Sequence, residues 1–338
     1  MKMYNTPILF LIFNRPDTTK VVFERIREIK PSRLYVAADA PRPGKDEEAE
    51  LCRQSRSIID SVDWPCEVKT LFRDENLGCK KAISSAITWF FEQEEYGVIL
   101  EDDCLPDLSF FHFCEELLIK YKDDERIGHI GGNCFLPGIV KDGYSYDFCN
   151  ITHIWGWASW RRVIDQWDEF YTFLEDKETM MQLENMIDAR KYRDDFIYMC
   201  QRHKENGKAY YETIFQARNF LQSGLSIVPV KNMINNLGAT ADSTHFSGSI
   251  YTMPHGYRRI FTMNRYEIGT PLKHPRYVIE HVAYKERLYR IMAWRHPWIK
   301  VFRSFEELGL NLIYGNWGII GKAIKNRINK WLKRDKHQ

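Results

Sequence analysis

No Gly-x-Gly-x-x-Gly follows the first apolar segment of this sequence, which argues against a dinucleotide-binding dehydrogenase. No two of its eight cysteines form a Cys-x-x-Cys pair, and no His/Cys group has zinc spacing. Cys52, Cys66, Cys79, Cys104, Cys114, Cys134, Cys149 and Cys200 are scattered through apolar segments instead, as expected of reduced, buried thiols in a reducing compartment. No apolar run is long enough to cross a bilayer. The first, Pro7 to Phe13, has the length of a strand and lacks a signal-peptide cleavage pattern. Together these absences predict a cytoplasmic protein. Charge of one sign is missing too: a net charge of +2 gives no global field toward nucleic acid. The one basic concentration is terminal and carries no recognition motif, so nucleic acid is not an expected partner. Internal repeats and low-complexity linkers are absent, and nothing marks a sharp domain boundary.

What is present is an ordinary globular composition with many aromatics. The 338 residues are 44% hydrophobic and 28% charged, enough for one large domain or two modest ones with a real core. Aromatics reach 14%; their flat apolar faces and polar tips suit sugars and bases as well as cores. The first half alternates short apolar runs with helical patterns. Strands are expected at Ile8–Phe13, Leu34–Ala38, Val68–Phe72 and Gly97–Leu100. Helices are expected from Asp17 or Thr18 to Ile29, and over Glu47–Val62, Lys80–Glu92 and Leu108–Tyr121. Such alternation implies βαβ units and a parallel sheet, whose ligands bind at the carboxyl ends of the strands. The tryptophan-dense stretch Asn150–Asp168, a charged helical region, a further strand at Leu225–Val230 and a polar loop follow. Beyond about Pro275 the chain reads as helical and basic. The organisation expected is a catalytic region over 1–250 and a mostly helical basic extension over 251–338.

Four polar clusters lie just after predicted strands. Glu101-Asp102-Asp103 is the strongest, because three adjacent carboxylates repel one another unless a cation sits among them. Oxygen ligands at a strand end suit Mg²⁺ or Mn²⁺, above all when phosphates complete the shell. Asn14-Arg15-Pro16-Asp17 follows the first strand; Arg15 can offer a planar fork to a phosphate or base, beside a helix N-terminus that favours anions. Asp39, in Ala38-Asp39-Ala40, can accept from a base N–H or a ribose hydroxyl. Asn76-Leu77-Gly78-Cys79-Lys80-Lys81 combines a glycine that permits close backbone approach with lysines that can face a diphosphate. Taken singly, the last three are equally what turns and helix starts need.

In this order, with Pro106, Phe110-Phe111 and an amphipathic helix after the acidic triplet, the clusters resemble the GT-A glycosyltransferases, and most the group containing N-acetylglucosaminyltransferase I and its bacterial relatives. The resemblance covers roughly residues 7 to 135 and thins out to about 250. It implies an α/β fold with a Rossmann-like, mostly parallel sheet flanked by helices and a helical C-terminal extension. It implies a metal-dependent, inverting hexosyl- or N-acetylhexosaminyltransferase using a UDP-linked sugar. The acceptor would be a saccharide or lipid-linked saccharide of bacterial surface-polysaccharide assembly. Asp103 would then ligate Mn²⁺ or Mg²⁺, Asp102 contact the ribose and Glu101 the donor sugar, with Arg15 and Asp39 on the nucleotide. Trp157, in Trp155-Gly156-Trp157, would shape the sugar pocket, where core packing is the alternative. The catalytic base matches the segment Tyr210–Phe215, whose acid is Glu212 where the family carries aspartate; Asp195 and Asp242 remain rivals. In the polar loop, His245 resembles a family histidine near the diphosphate.

Two other readings compete. A sugar-phosphate nucleotidyltransferase shares the core and acidic site but carries a Gly-rich Lys/Arg loop after the first strand. A non-catalytic sugar-binding module on a degenerate transferase fold has no need of the acidic triplet. Toward the C-terminus, Ile320, Ala323, Ile324, Ile328, Trp331 and Leu332 fall on one helical face, with seven Lys or Arg and one acid between Lys322 and Lys336. That pattern fits peripheral contact with the inner face of a membrane, or a helix packed on the catalytic domain.

Overall fold

The computed structural model describes residues 3–137, 143–207, 210–238 and 250–321. Four strands open the chain: β1 (Ile8–Ile12), β2 (Arg33–Ala38), β3 (Glu67–Phe72) and β4 (Tyr96–Glu101). They are parallel, in the order β3-β2-β1-β4. Every residue of β1 is buried, as befits a central parallel strand covered by helices on both faces. The helices between them are α1 (Pro16–Ile29), α2 (Asp46–Ser57) and α3 (Gly78–Phe91).

After β4 a short β5 (Cys104–Pro106) leads into α4 (Leu108–Lys120), whose first turn is capped by Asp107 accepting from the Ser109 N–H at 2.9 Å. The sheet is completed by β6 (Ile127–Gly131), β7 (Tyr146–Cys149), β8 (Trp157–Trp160) and β9 (Leu225–Pro229). The full order is β3-β2-β1-β4-β8-β6-β9-β7. In it β8 and β7 run against the other six strands. A separate ribbon pairs β10 (Ile234–Asn236) antiparallel with β5. The architecture is thus the α/β, mostly parallel sheet flanked by helices that the sequence predicts, with helices toward the C-terminus.

Local details differ from the sequence reading. Neither Asp17 nor Thr18 caps α1: Arg15 holds the N-cap position with no side-chain cap, and Pro16 starts the helix. Proline is preorganised for that position, and Asp17 in the first turn suits the positive end of the dipole. The helix expected to reach Val62 stops at Ser57 and ends in a 3₁₀ turn, Ile58–Ser61. Strands β6, β7 and β8 had no clear sequence signal. Segments such as Ile127-Gly-His-Ile-Gly131 are too short and mixed to show a period, and become strands through pairing with distant partners.

Two cores form. The larger fills both sides of β1, β2 and β4 with residues such as Phe10, Phe90 and Phe110. The second gathers α6 (Lys177–Met186), α7 (Arg190–Glu205), α8 (Tyr211–Leu221) and α10 (Val282–Met292) around Phe196, Phe220 and Tyr289. Among the described residues the remaining α-helices are the short α5 (Arg161–Ile164) and α9 (His255–Phe261) and the longer α11 (Pro297–Ile313). No described helix is long and apolar enough to cross a membrane. Asp242, His245 and the basic tail from Lys322 onward lie outside the described residues.

The seam between β6, β8 and β10 sets the floor beneath the end of β4. There the Gly132 N–H donates to the Gly156 carbonyl at 2.8 Å, and the Gly132 carbonyl accepts from the Met233 N–H at 3.0 Å. A Cβ on Gly132 would lie 2.6 Å from both Ile234 and Phe110 and 2.8 Å from the Gly156 oxygen, which is backbone and cannot turn aside. We expect Gly132→Ala to lose about 1–3 kcal/mol, the usual range for overpacking. A urea midpoint equal to that of the parent chain would contradict this packing.

Candidate active site

The carboxyl ends of β1, β2 and β4 open onto a cleft of about 1960 Å³. Its floor is the acidic triplet. Glu101 is the last residue of β4, and Asp102 and Asp103 form the turn into β5. The neighbouring strand ends and loops compensate each carboxylate differently. The Phe13 N–H, at the end of β1, donates to Asp102 Oδ2 at 3.0 Å. Arg15, two residues later, places Nη1 2.9 Å from Asp103 Oδ2. The Tyr211 hydroxyl, from the start of α8, donates to Glu101 Oε1 at 2.6 Å.

Burial and mutual repulsion show in the protonation of the triplet. Burial, then the charge of Asp103, pushes Asp102 up to about 7. Glu101 is also raised, first by burial and then by Asp103, with Glu212 adding to the push and the Tyr211 hydrogen bond opposing it. The backbone beyond β10 closes over Asp103. The Leu237 N–H donates to the Asp103 carbonyl at 2.7 Å. A Cβ on Gly238 would meet Asp103 Oδ2 at 2.0 Å and Arg15 Nη1 at 3.0 Å. Only glycine lets that loop approach the ion pair so closely.

The second sector of the cleft is built by the ends of β2 and β3. Asp39 is buried and serves as an anchor: its carboxylate accepts from the N–H groups of Leu77 at 3.0 Å and Gly78 at 2.9 Å, at the start of α3. Gly78 has φ +76°, which glycine adopts without strain. Asn76 donates from Nδ2 to the Ala40 carbonyl at 2.5 Å. Asp39 and Asn76 thus fix each other's loops while both line the cleft.

The structure brings Arg15, Asp39, Asn76, Glu101, Asp102, Asp103, Asp195 and Glu212 to one cleft. Glu212 lies in the first turn of α8 beside Tyr211, close enough to the triplet to bear on Glu101. Asp195 lines the cleft from α7, where it forms an ion pair with Lys191. Lys80 points its ammonium over the Tyr210 ring, 4.3 Å from the centroid. Trp157 is placed otherwise than expected: at 1% exposure it is core, stacked beside Tyr211 at 6.0 Å. It supports the tyrosine that holds Glu101, and Trp155, on the loop before β8, lines the cleft in its stead.

Several cleft residues had no mark in the sequence. Arg42 and Arg73 line it, held by Glu48 and Ser85 respectively. Tyr211 was visible only as one member of an aromatic run. The far wall comes from α9 and α11, through Tyr257, Lys300, Arg303, Glu307 and Asn311. That wall could not be read from sequence, because bringing the C-terminal helices to the cleft is purely a matter of tertiary contact.

No family model matches this chain, and no curated protein matches it. Among solved structures, S. aureus TarS (residues 1–349) is similar over 59% of this chain and 72% of its own, at 11% identity and a TM-score of 0.33. HddC from Yersinia pseudotuberculosis covers 47% of this chain and 79% of its own, at 10% identity and a TM-score of 0.30. The inositol-1-phosphate CTP transferase from T. maritima covers 49% and 74%, at 7% identity and a TM-score of 0.30. Similarity this distant says nothing about activity, which has to come from the residues.

Proposed function

We propose that the chain is a glycosyltransferase that moves a sugar from a uridine diphosphate donor to a saccharide or lipid-linked saccharide acceptor, with inversion. The observation that supports this most is the acidic triplet in the cleft, with Arg15 against Asp103 and Glu212 beside Glu101. The size of the cleft agrees. Single small-molecule sites run to about 300–1,000 Å³, so about 1960 Å³ has room for a donor and an acceptor together.

The donor set fits a hard divalent cation. It consists of oxygen, and Asp103 faces the cleft with Arg15 on one oxygen and the Cys104 thiol, 3.5 Å away, near the other. Among the described residues no group of three or more His, Cys, Asp or Glu could enclose a metal. One carboxylate backed by phosphate and water is the arrangement in which Mg²⁺ or Mn²⁺ is held with substrate. Asp103 would hold the ion, with Asp102 beside it. Bound there, the ion would offset charge gathering on the leaving diphosphate.

The chain's own residues supply the rest. Arg15, freed from Asp103, offers its fork to a phosphate, and Arg42 and Arg73 add positive charge on the nucleotide side. Glu101, oriented by Tyr211, faces the donor sugar. Glu212 takes the proton of the acceptor hydroxyl as that oxygen attacks the anomeric carbon. A single displacement of this kind inverts the centre. A sugar-phosphate nucleotidyltransferase is less well served, since β1 leads into Asn14-Arg15-Pro16 and no Gly-rich loop.

Three outcomes are expected. Asp103→Ala should abolish Mn²⁺-stimulated release of UDP from UDP-sugars while leaving the melting temperature near that of the parent. Parent-level release by the variant would remove Asp103 from the metal site. Glu212→Gln should retain donor affinity and lose transfer by at least about a hundredfold, the lower end for a general base; near-normal turnover would shift the role to Asp195 or Asp242.

The third outcome concerns pH. Folding raises Glu101 and Asp102 above the ordinary carboxylate value of about 4, so the folded chain keeps protons that the unfolded chain has released. Their contribution to stability is therefore full at low pH and is lost as pH rises through about 7. In EDTA, stability should fall between about pH 5 and about pH 8, and Glu101→Gln with Asp102→Asn should flatten the slope. An unchanged slope in the double variant would contradict the burial of these groups.

A further inference from the structure

A surface helix normally turns its apolar stripe toward the core and its polar side to water. Helix α11 does the reverse. Lys300, Arg303, Ser304, Glu307 and Asn311 line the cleft. On the opposite side Trp298, Phe302 and Phe305 are 74%, 71% and 67% exposed, and Leu312 and Ile313 continue the stripe. The intervals of four, three and seven residues between Trp298, Phe302, Phe305 and Leu312 place them along one line of the helix. Polar contacts fix this orientation. The Arg303 guanidinium sits over the Tyr257 ring at 4.3 Å, and Glu306 Oε1 accepts from the His255 N–H at 2.9 Å. The helix cannot roll its aromatics inward without losing both.

An exposed apolar stripe of this extent marks an interaction surface. From its composition and its neighbourhood we infer that the outward face of α11 docks on an anionic lipid surface. Tryptophan and phenylalanine beside a polar, cation-bearing side suit a helix lying in the plane of the interface. Tyr314 and Trp317, directly after α11, are exposed as well, and rings of this type favour the headgroup level. The sequence that follows carries seven Lys or Arg and one acid between Lys322 and Lys336, and such a cluster is drawn to anionic lipid. A second copy of the chain would cover the apolar stripe equally well, but it would bring a second set of like charges with it.

On the reading given above, this orientation would set the cleft against the bilayer, with α11 as the strip between lipid and active site. A lipid-linked saccharide could then enter over the polar side of α11 with its lipid still in the membrane. The docking itself does not depend on that reading.

The test is flotation of the full chain with vesicles of phosphatidylcholine alone and with added phosphatidylglycerol, beside a Phe302→Ser/Phe305→Ser variant. The parent should float with the anionic vesicles and not the neutral ones. The variant should lose at least about tenfold in binding, as expected for removing two interfacial anchors, with an unchanged melting temperature. Equal flotation of the two chains, or none by the parent, would overturn the proposal. So would light scattering that shows a dimer which the variant converts to monomer, because the face would then belong to a second copy. A chain that floats as expected yet releases no UDP from any UDP-sugar would support the docking and count against the transferase reading.

Discussion

Crowding three carboxylates at the end of one buried strand is unfavourable, and the loops around β4 are arranged to meet that repulsion. A backbone N–H from the end of β1 serves Asp102, a guanidinium from the start of α1 serves Asp103, and a phenol from the start of α8 serves Glu101. Each partner arrives from a different part of the chain, at sequence separations of 89, 88 and 110 residues. The parallel order β2-β1-β4 is what sets the first two beside the triplet. The packing of Trp157 against Tyr211 is what sets the third. Burial leaves Glu101 and Asp102 raised even so; on the proposed function, a bound cation would displace protons held there.

How much of this was legible in the sequence depended on whether the signal was local. Strands β1, β2 and β4 are mostly apolar, buried runs bounded by polar turns, β3 is a mixed one, and their alternation with helices gave the parallel sheet. The acidic triplet and Arg15 stood out because they follow such runs directly. Strands β6 to β8 did not stand out, since their state is imposed by pairing across the sheet. The roles of single residues were least visible. Asp39 was read as a nucleotide contact or a turn aspartate; it lines the cleft, and its carboxylate also anchors the start of α3. Trp157 was read as a pocket wall, and it lies one layer beneath. For Trp157 the residue type was informative and the direction of the side chain was not.

The C-terminal helices illustrate the same limit from the other side. The region of α11 was readable as helical, but helical character does not say which face turns inward. The cleft supplies that answer, because it draws Lys300, Arg303 and Asn311 toward itself and leaves Trp298, Phe302 and Phe305 in solvent. One helix thereby contributes to the site on one side and presents an apolar surface on the other.

The central claim is that the triplet and Arg15 bind a nucleoside diphosphate together with a divalent cation. Calorimetric titration of UDP into the full chain, with Mn²⁺ and then with EDTA, tests it most directly. The account predicts binding with Mn²⁺ that is lost in EDTA, and lost also when Asp103 is changed to asparagine with Mn²⁺ present. Equal affinity in Mn²⁺ and in EDTA, or no binding under either condition, would contradict it.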